Sequence, residues 1–96
     1  MITPKQRAKL KKISHGYKPL VNIGKGGISE NTLKQIDDTL NKREIMKIKI
    51  LNNNLDDRDM LIDEILIKLD CEFVRYMGNI LTIYRESENK VIDLDD

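Results

Sequence analysis

The stretch EIMKIKIL, residues 44–51, alternates apolar and charged positions, with Met46, Ile48 and Ile50 on one side and Lys47 and Lys49 on the other. A period of two is a strand, and a strand with one apolar face needs something to cover that face. Helical periodicity stands on both sides of it. Upstream, Leu33, Ile36 and Leu40 recur at helical spacing in a helix expected over about 30–42, with Lys34, Asp37 and Asp38 toward solvent. Downstream, after the loop NNNLDD, Asp56 or Asp57 caps a helix expected over about 58–69, whose Leu61, Ile62, Ile65, Leu66 and Leu69 form a broad apolar face. Sheet under helices is the expected arrangement.

The remaining elements extend this pattern. In ITPKQRAKLKKISHG, Thr3 can cap, Pro4 suits the first helical position, Gln6 completes a capping box and Gly16 can end the helix, so helix 1 is expected over about 4–15. Leu10, Ile13 and Tyr17 mark its inward side, and Lys5, Lys9 and Lys12 fall together as a basic stripe. In KPLVNIG, Pro19 biases Lys18 to extended geometry, and Leu20, Val21 and Ile23 read as a short buried strand. Ser29 is a natural N-cap for the second helix, with Ile28 and Leu33 as a hydrophobic staple. CEFVRYMGNILTIYRE reads as two strands, about 71–77 and 80–85, turned at Gly78-Asn79. The order αβαβαββ predicts the α+β class, a two-layer sandwich with a mixed four-stranded sheet. At 96 residues the chain is expected to be a single domain, with a core over about 4–86 and a loosely held acidic tail, 87–96, from which Val91, Ile92 and Leu94 could dock.

Charge is divided along the chain. Residues 1–50 hold twelve Lys/Arg and four Asp/Glu, residues 51–96 five and twelve, although the net charge is only +1. Such asymmetry points to a polyanion partner, against the plainer reading of basic and acidic surfaces that pair with each other. The longest apolar runs are too short to span a bilayer, and helix 1 lacks the Trp and Phe of an interfacial membrane helix, so no membrane partner is expected. The N-terminus has no secretory pattern, and a cytoplasmic location is expected. The single cysteine, Cys71, reads as a small buried apolar residue. No His or Cys stands at metal-ligand spacing, so neither a metal nor another cofactor is expected.

The run NIGKGGISE places Gly24, Gly26 and Gly27 between a strand and a helix N-terminus, where backbone N–H groups and the helix dipole favour an anion and Lys25 adds charge. A P-loop would need Gly at position 19, which is Pro, and Ser or Thr at position 26, which is Gly. Rossmann spacing is also absent. Two readings remain: a tight turn that needs glycine, and a Gly-x-x-Gly loop that clamps an RNA backbone as in KH domains. On the second, Asp at both Gly26 and Gly27 is expected to block RNA without unfolding an exposed loop.

ISHGYKPLVNIGKGGISENTLKQID, then EIMKIKI, then MGNILTIYR resemble the CRM domain, named for chloroplast RNA splicing and ribosome maturation, and in particular its bacterial single-domain YhbY family. The shared features are a His two residues after the helix 1 Ile, Lys-Pro before strand 1, Gly-x-x-Gly at Gly24 to Gly27, a capped helix 2, a Glu-hydrophobic-x-Lys strand and a closing Tyr84-Arg85. Leu69-Asp70 stand where the family usually has Thr-Gly, and Ser14 where it has Ala. The resemblance covers about residues 4–86. It implies a fold similar to the C-terminal domain of bacterial translation initiation factor three, and an RNA-binding protein that associates with large-subunit ribosomal RNA or pre-large-subunit particles. It also implies phosphate contacts from Gly24, Lys25, Gly26 and Gly27, helped by Lys5, Lys9, Lys12 and Lys18, with Arg85 as a further contact.

No nucleophile or metal pattern accompanies His15, so a structural hydrogen bond near the end of helix 1 is expected of it rather than catalysis. Neither an enzyme nor a small-molecule substrate is expected. Tyr17, Tyr76 and Tyr84 could stack on bases, but packing is the expectation for Tyr17 and Tyr84 in a core with one Phe and no Trp. The alternative function is a protein-interaction module that presents its acidic C-terminal half to a basic ribosomal protein.

Overall fold

In the computed structural model, which describes residues 1–94, the alternating stretch is the second of four strands. The elements are α1 (Pro4–Ile13), β1 (Val21–Ile23), α2 (Glu30–Arg43), β2 (Ile45–Ile50), α3 (Arg58–Leu69), β3 (Glu72–Met77) and β4 (Ile80–Tyr84). The sheet order is β1-β2-β4-β3, with β1 parallel to β2 and β4 antiparallel to both of its neighbours. The fold is thus α+β with a mixed four-stranded sheet. β3 and β4 are joined by Gly78 and Asn79, both at positive φ (59° and 63°), the paired left-handed geometry of a tight hairpin.

Met46, Ile48 and Ile50 of β2, with Leu81 and Ile83 of β4, pack against Ile36 and Leu40 of α2 and Leu61, Ile65 and Leu69 of α3. Burial of this set by two helices supplies the main hydrophobic stabilisation. Cys71 lies in the same core; burial pushes its thiol up to about 11, so it stays protonated and unreactive at neutral pH.

A second core covers part of the reverse face, where Leu10 of α1 meets Ile45, Val74 and Tyr84 of the sheet and Ile92 and Leu94 of the C-terminal tail. Val74 is the extra residue of a β-bulge between Phe73 and Arg75, and Arg7 Nε of α1 donates to the Phe73 carbonyl there (3.2 Å). Burial pushes the Tyr84 phenol up to about 12, helped by the charges of Glu44 and Glu86. The tail is therefore anchored over the described residues, not loose. Ile92 and Leu94 dock while Val91 stays exposed, and Asp95 and Asp96 lie outside the described residues.

The anchor is Glu44, fully buried at the end of α2. Its Oε1 accepts from the Val91 and Ile92 amides (2.7 and 2.6 Å), and its Oε2 from the Ser87 amide and hydroxyl (2.6 and 3.2 Å). Glu44 also has positive φ (67°), an unusual conformation for a non-glycine residue, which turns the chain from α2 directly into β2.

α1 ends at Ile13, two residues before the expected stop. Its capping box is present at Thr3 and Gln6, but at the other end His15 N donates to the Lys12 carbonyl and Tyr17 N to the Ser14 carbonyl, which tightens the chain into successive turns. Tyr17 thereby leaves the helical repeat and is 46% exposed instead of packed. Leu20, expected in a buried strand, is also exposed, because β1 begins only at Val21.

Candidate functional site

Gly24 to Gly27 form a tight turn closed by a hydrogen bond from Gly27 N to the Gly24 carbonyl (3.0 Å), with Gly27 at φ +73°. Among the described residues the Lys25 and Gly26 amides have no hydrogen-bond partner, and the side chain of Lys25 is exposed. The turn leads into α2, where Ser29 Oγ accepts from Thr32 N (3.1 Å) and Ile28 and Leu33 pack on the core as a staple would. Glu30 in the first turn already faces the positive end of the helix dipole. Ser29→Ala should cost about 1 kcal/mol of stability through loss of the cap, measured by urea unfolding. An unchanged unfolding curve would remove Ser29 as a determinant of this helix end.

The turn is held from below by a residue that sequence reading passed over as loop. Asn54, buried, donates through Nδ2 to the Gly24 carbonyl (2.8 Å) and Asp56 Oδ2 (3.2 Å). Its Oδ1 accepts from Asp56 N (2.9 Å) and Arg58 Nη1 (3.0 Å). The signal was present in the run of Asn and Asp ahead of a capped helix, a composition that builds side-chain to backbone turns. This platform makes the two central glycines unequal. A Cβ at Gly26 meets nothing within 4 Å, whereas one at Gly27 would stand 3.2 Å from Asp56 Oδ2 on a backbone of positive φ. Asp at Gly27 is therefore strained and faces a like charge, contrary to the expectation that both positions accept it.

The other candidate cations are spread around the molecule. Lys18 and the glycine turn lie at opposite ends of β1, and α1, with Lys5, Lys9 and Lys12, packs toward β3 at the far edge of the sheet. Lys5 and Lys9 each already have an interaction within the protein, while Lys12 is exposed. Arg85 is a brace. Its guanidinium donates to the carbonyls of Leu69 (2.7 Å) and Asp37 (3.2 Å) and to Asn41 Oδ1 (2.9 Å), and pairs with Asp37 Oδ1 (2.9 Å), leaving the side chain 20% exposed. These bonds tie β4 to α2 and to the end of α3, and they engage both Nη groups within the fold.

His15 differs from expectation. Only its backbone is hydrogen-bonded among the described residues, and its exposed imidazole lines a groove between the end of α1 and the sheet. Among the three tyrosines, Tyr84 is buried, Tyr76 is half-buried with its hydroxyl on Asn79 Oδ1 (3.1 Å), and Tyr17 is exposed. Among the described residues no group of His, Cys, Asp and Glu is arranged to hold a metal ion, and no helix is long and apolar enough to cross a membrane.

Comparison with known proteins agrees across sequence and structure. The CRS1 / YhbY (CRM) domain matches residues 2–85. The Bacillus subtilis (strain 168) "Probable RNA-binding protein YqeI" is 35% identical over 98% of this chain and 99% of its own length. An "RNA-binding protein" of Haemophilus influenzae is 31% identical over 97% of this chain and 94% of its own. The solution structure of the Staphylococcus aureus protein SAV1595, described as a candidate RNA-binding protein, superposes with a TM-score of 0.81 at 46% identity, covering 99% of this chain and all of that one.

Proposed function

The chain belongs to the CRS1 / YhbY (CRM) domain family, and from that premise we propose that it is a non-catalytic, cytoplasmic RNA-binding protein that contacts structured ribosomal RNA during assembly of the large subunit. Relatives named for RNA binding, matched over nearly their whole length, support RNA as the partner. The observation that carries the contact mode is the glycine turn, with two unpartnered amides and one exposed lysine at the start of a capped helix. Such a turn lets a phosphate approach the backbone closely and adds one cation without requiring a particular base.

A salt series tests this contact. Lys25→Ala should flatten the slope of log affinity against log salt by roughly 0.7–0.9, the loss of one phosphate contact. Gly26→Asp, at a position with room for a side chain, should lower affinity by about tenfold or more, because it adds bulk and like charge where phosphate would lie. Folded variants that bind ribosomal RNA as wild type does at every salt concentration would reduce the turn to a structural role. Crosslinking in cells followed by sequencing of the bound RNA tests the ribosomal assignment.

A second reading has one observation in its favour. α3 exposes Met60 (73%) and Ile67 (78%) beside Asp57, Asp63 and Glu64, a surface suited to a basic protein segment. Charge reversal at Asp63 and Glu64 separates the two: it should leave RNA affinity intact if RNA is the partner of the basic half, and abolish binding of a basic ribosomal protein if the acidic half is the working surface.

A further inference from the structure

α1 and the tail cover only part of the reverse face of the sheet. Beyond them Lys47 of β2, Arg75 and Met77 of β3, and Ile80 and Thr82 of β4 form a floor, with Lys11 and His15 as its wall. Lys47 also belongs to a second cleft, which runs past Lys18, Leu20 and Arg43 to Tyr17. The two clefts share Lys47 and so form one track, from the end of α1 to the start of β1.

Among the described residues no acidic side chain lines either cleft. Among the described residues Lys11, Lys18, Arg43 and Lys47 are in no ion pair, and the Arg75 guanidinium reaches only Met77 Sδ (3.3 Å). Within this basic track stand an exposed aromatic ring, Tyr17, and an exposed apolar side chain, Leu20. Cations that follow a backbone together with an aromatic face on which a base can stack are the two requirements of single-strand binding. A duplex, whose bases are paired and stacked inside, offers nothing to Tyr17.

We propose that this track holds an unpaired segment of RNA, with a base stacked on Tyr17 and its flanking phosphates on Lys47 and the neighbouring cations. The inference rests on the RNA-binding reading above, but it concerns a surface separate from the glycine turn. It assigns the two surfaces different jobs: the turn takes backbone irrespective of pairing, and the track selects for a single-stranded element.

The test uses a hairpin RNA with an unpaired loop, the same stem as a blunt duplex, and the full chain. Tyr17→Ala should lower hairpin affinity by about tenfold and leave duplex affinity unchanged, while Tyr17→Phe should bind both as wild type does. Lys47→Ala should flatten the hairpin salt slope by about 0.7. Gly26→Asp should weaken both RNAs. Tyr17→Ala and Lys47→Ala proteins that are folded by circular dichroism and bind the hairpin like wild type would overturn the track; continued weakening by Gly26→Asp would then leave the glycine-turn reading in place. Equal losses on hairpin and duplex with Tyr17→Ala would overturn the stacking role. Wild type that binds neither RNA would overturn both proposals.

Discussion

Glu44→Ala should destabilise the protein by about 3–5 kcal/mol and release the C-terminal tail, the range expected when a buried charge network loses its central partner. Glu44 accepts four hydrogen bonds, three of them from tail amides, and among the described residues no other acceptor serves those amides. The tail can escape the penalty only by moving into water, which uncovers Ile92 and Leu94 and weakens the packing of Leu10 and Tyr84. Glu44→Gln should recover part of the loss. Its amide oxygen can still serve Val91 and Ile92, but its NH₂ would face the Ser87 N–H as one donor against another. Glu44→Gly separates the two roles of the position, because it relieves the positive φ and still loses the carboxylate.

The same anchor predicts a pH dependence. Burial acts to raise the Glu44 pKa, but the amides of Ser87, Ile92 and Val91 and the Ser87 hydroxyl outweigh it and hold the carboxyl below its ordinary value of 4.5. A lowered folded-state pKa means stability that is fully present above 4.5 and lost as pH falls through the lower folded value. Tail docking, followed by protection of the Ser87, Val91 and Ile92 amides from hydrogen exchange, should therefore weaken on acidification below 4.5 in wild type. In Glu44→Gln that particular loss should be absent. Equal acid sensitivity of these amides in both proteins would mean that other carboxylates release the tail.

The secondary structure was legible because each element carries its own periodicity or cap: Thr3 and Gln6 at α1, Ser29 at α2, Asp57 at α3, and Gly78-Asn79 at the hairpin. The main core was legible for the same reason, since alternation in β2 and helical spacing in α2 and α3 mark the faces that meet. The second core was not. It joins Leu10, Ile45, Val74 and Ile92 from four distant segments, and Ile45 and Val74 fall out of phase with the apolar alternation of their own strands. Polar residues whose partners are remote were not legible. A glutamate at the head of a strand looks exposed until residues 87–92 return to it, and Arg85 looks like a surface cation until α2 supplies Asp37 and Asn41. Periodicity put Tyr17 on the inward side of α1, but i→i−3 turns after Ile13 carry it out of that repeat. For the candidate site, the glycine turn was visible as composition, while the Asn54 platform beneath it depends on contacts across thirty residues.

Asn54→Asp should cost about 2–4 kcal/mol and lower RNA affinity by about tenfold or more, although Asn54 is buried and touches no ligand itself. The substitution changes no size. It replaces the Nδ2 donor, which serves the Gly24 carbonyl at 2.8 Å and Asp56 Oδ2 at 3.2 Å, with an oxygen that both repel. Arg58, whose Nη1 sits 3.0 Å from Oδ1, can compensate the new charge but cannot restore a donor to Gly24. The glycine turn then loses the side-chain tether that Asn54 provides and samples a wider range of conformations. Binding pays for that disorder because the turn must be ordered again in the complex. Asn54→Ala distinguishes tether from charge: it removes the same hydrogen bonds without adding an anion, so its effect on affinity should be smaller and its salt slope that of wild type. If Asn54→Asp binds RNA as wild type does while unfolding at lower urea, the platform stabilises the fold alone, and the order of the glycine turn does not limit recognition.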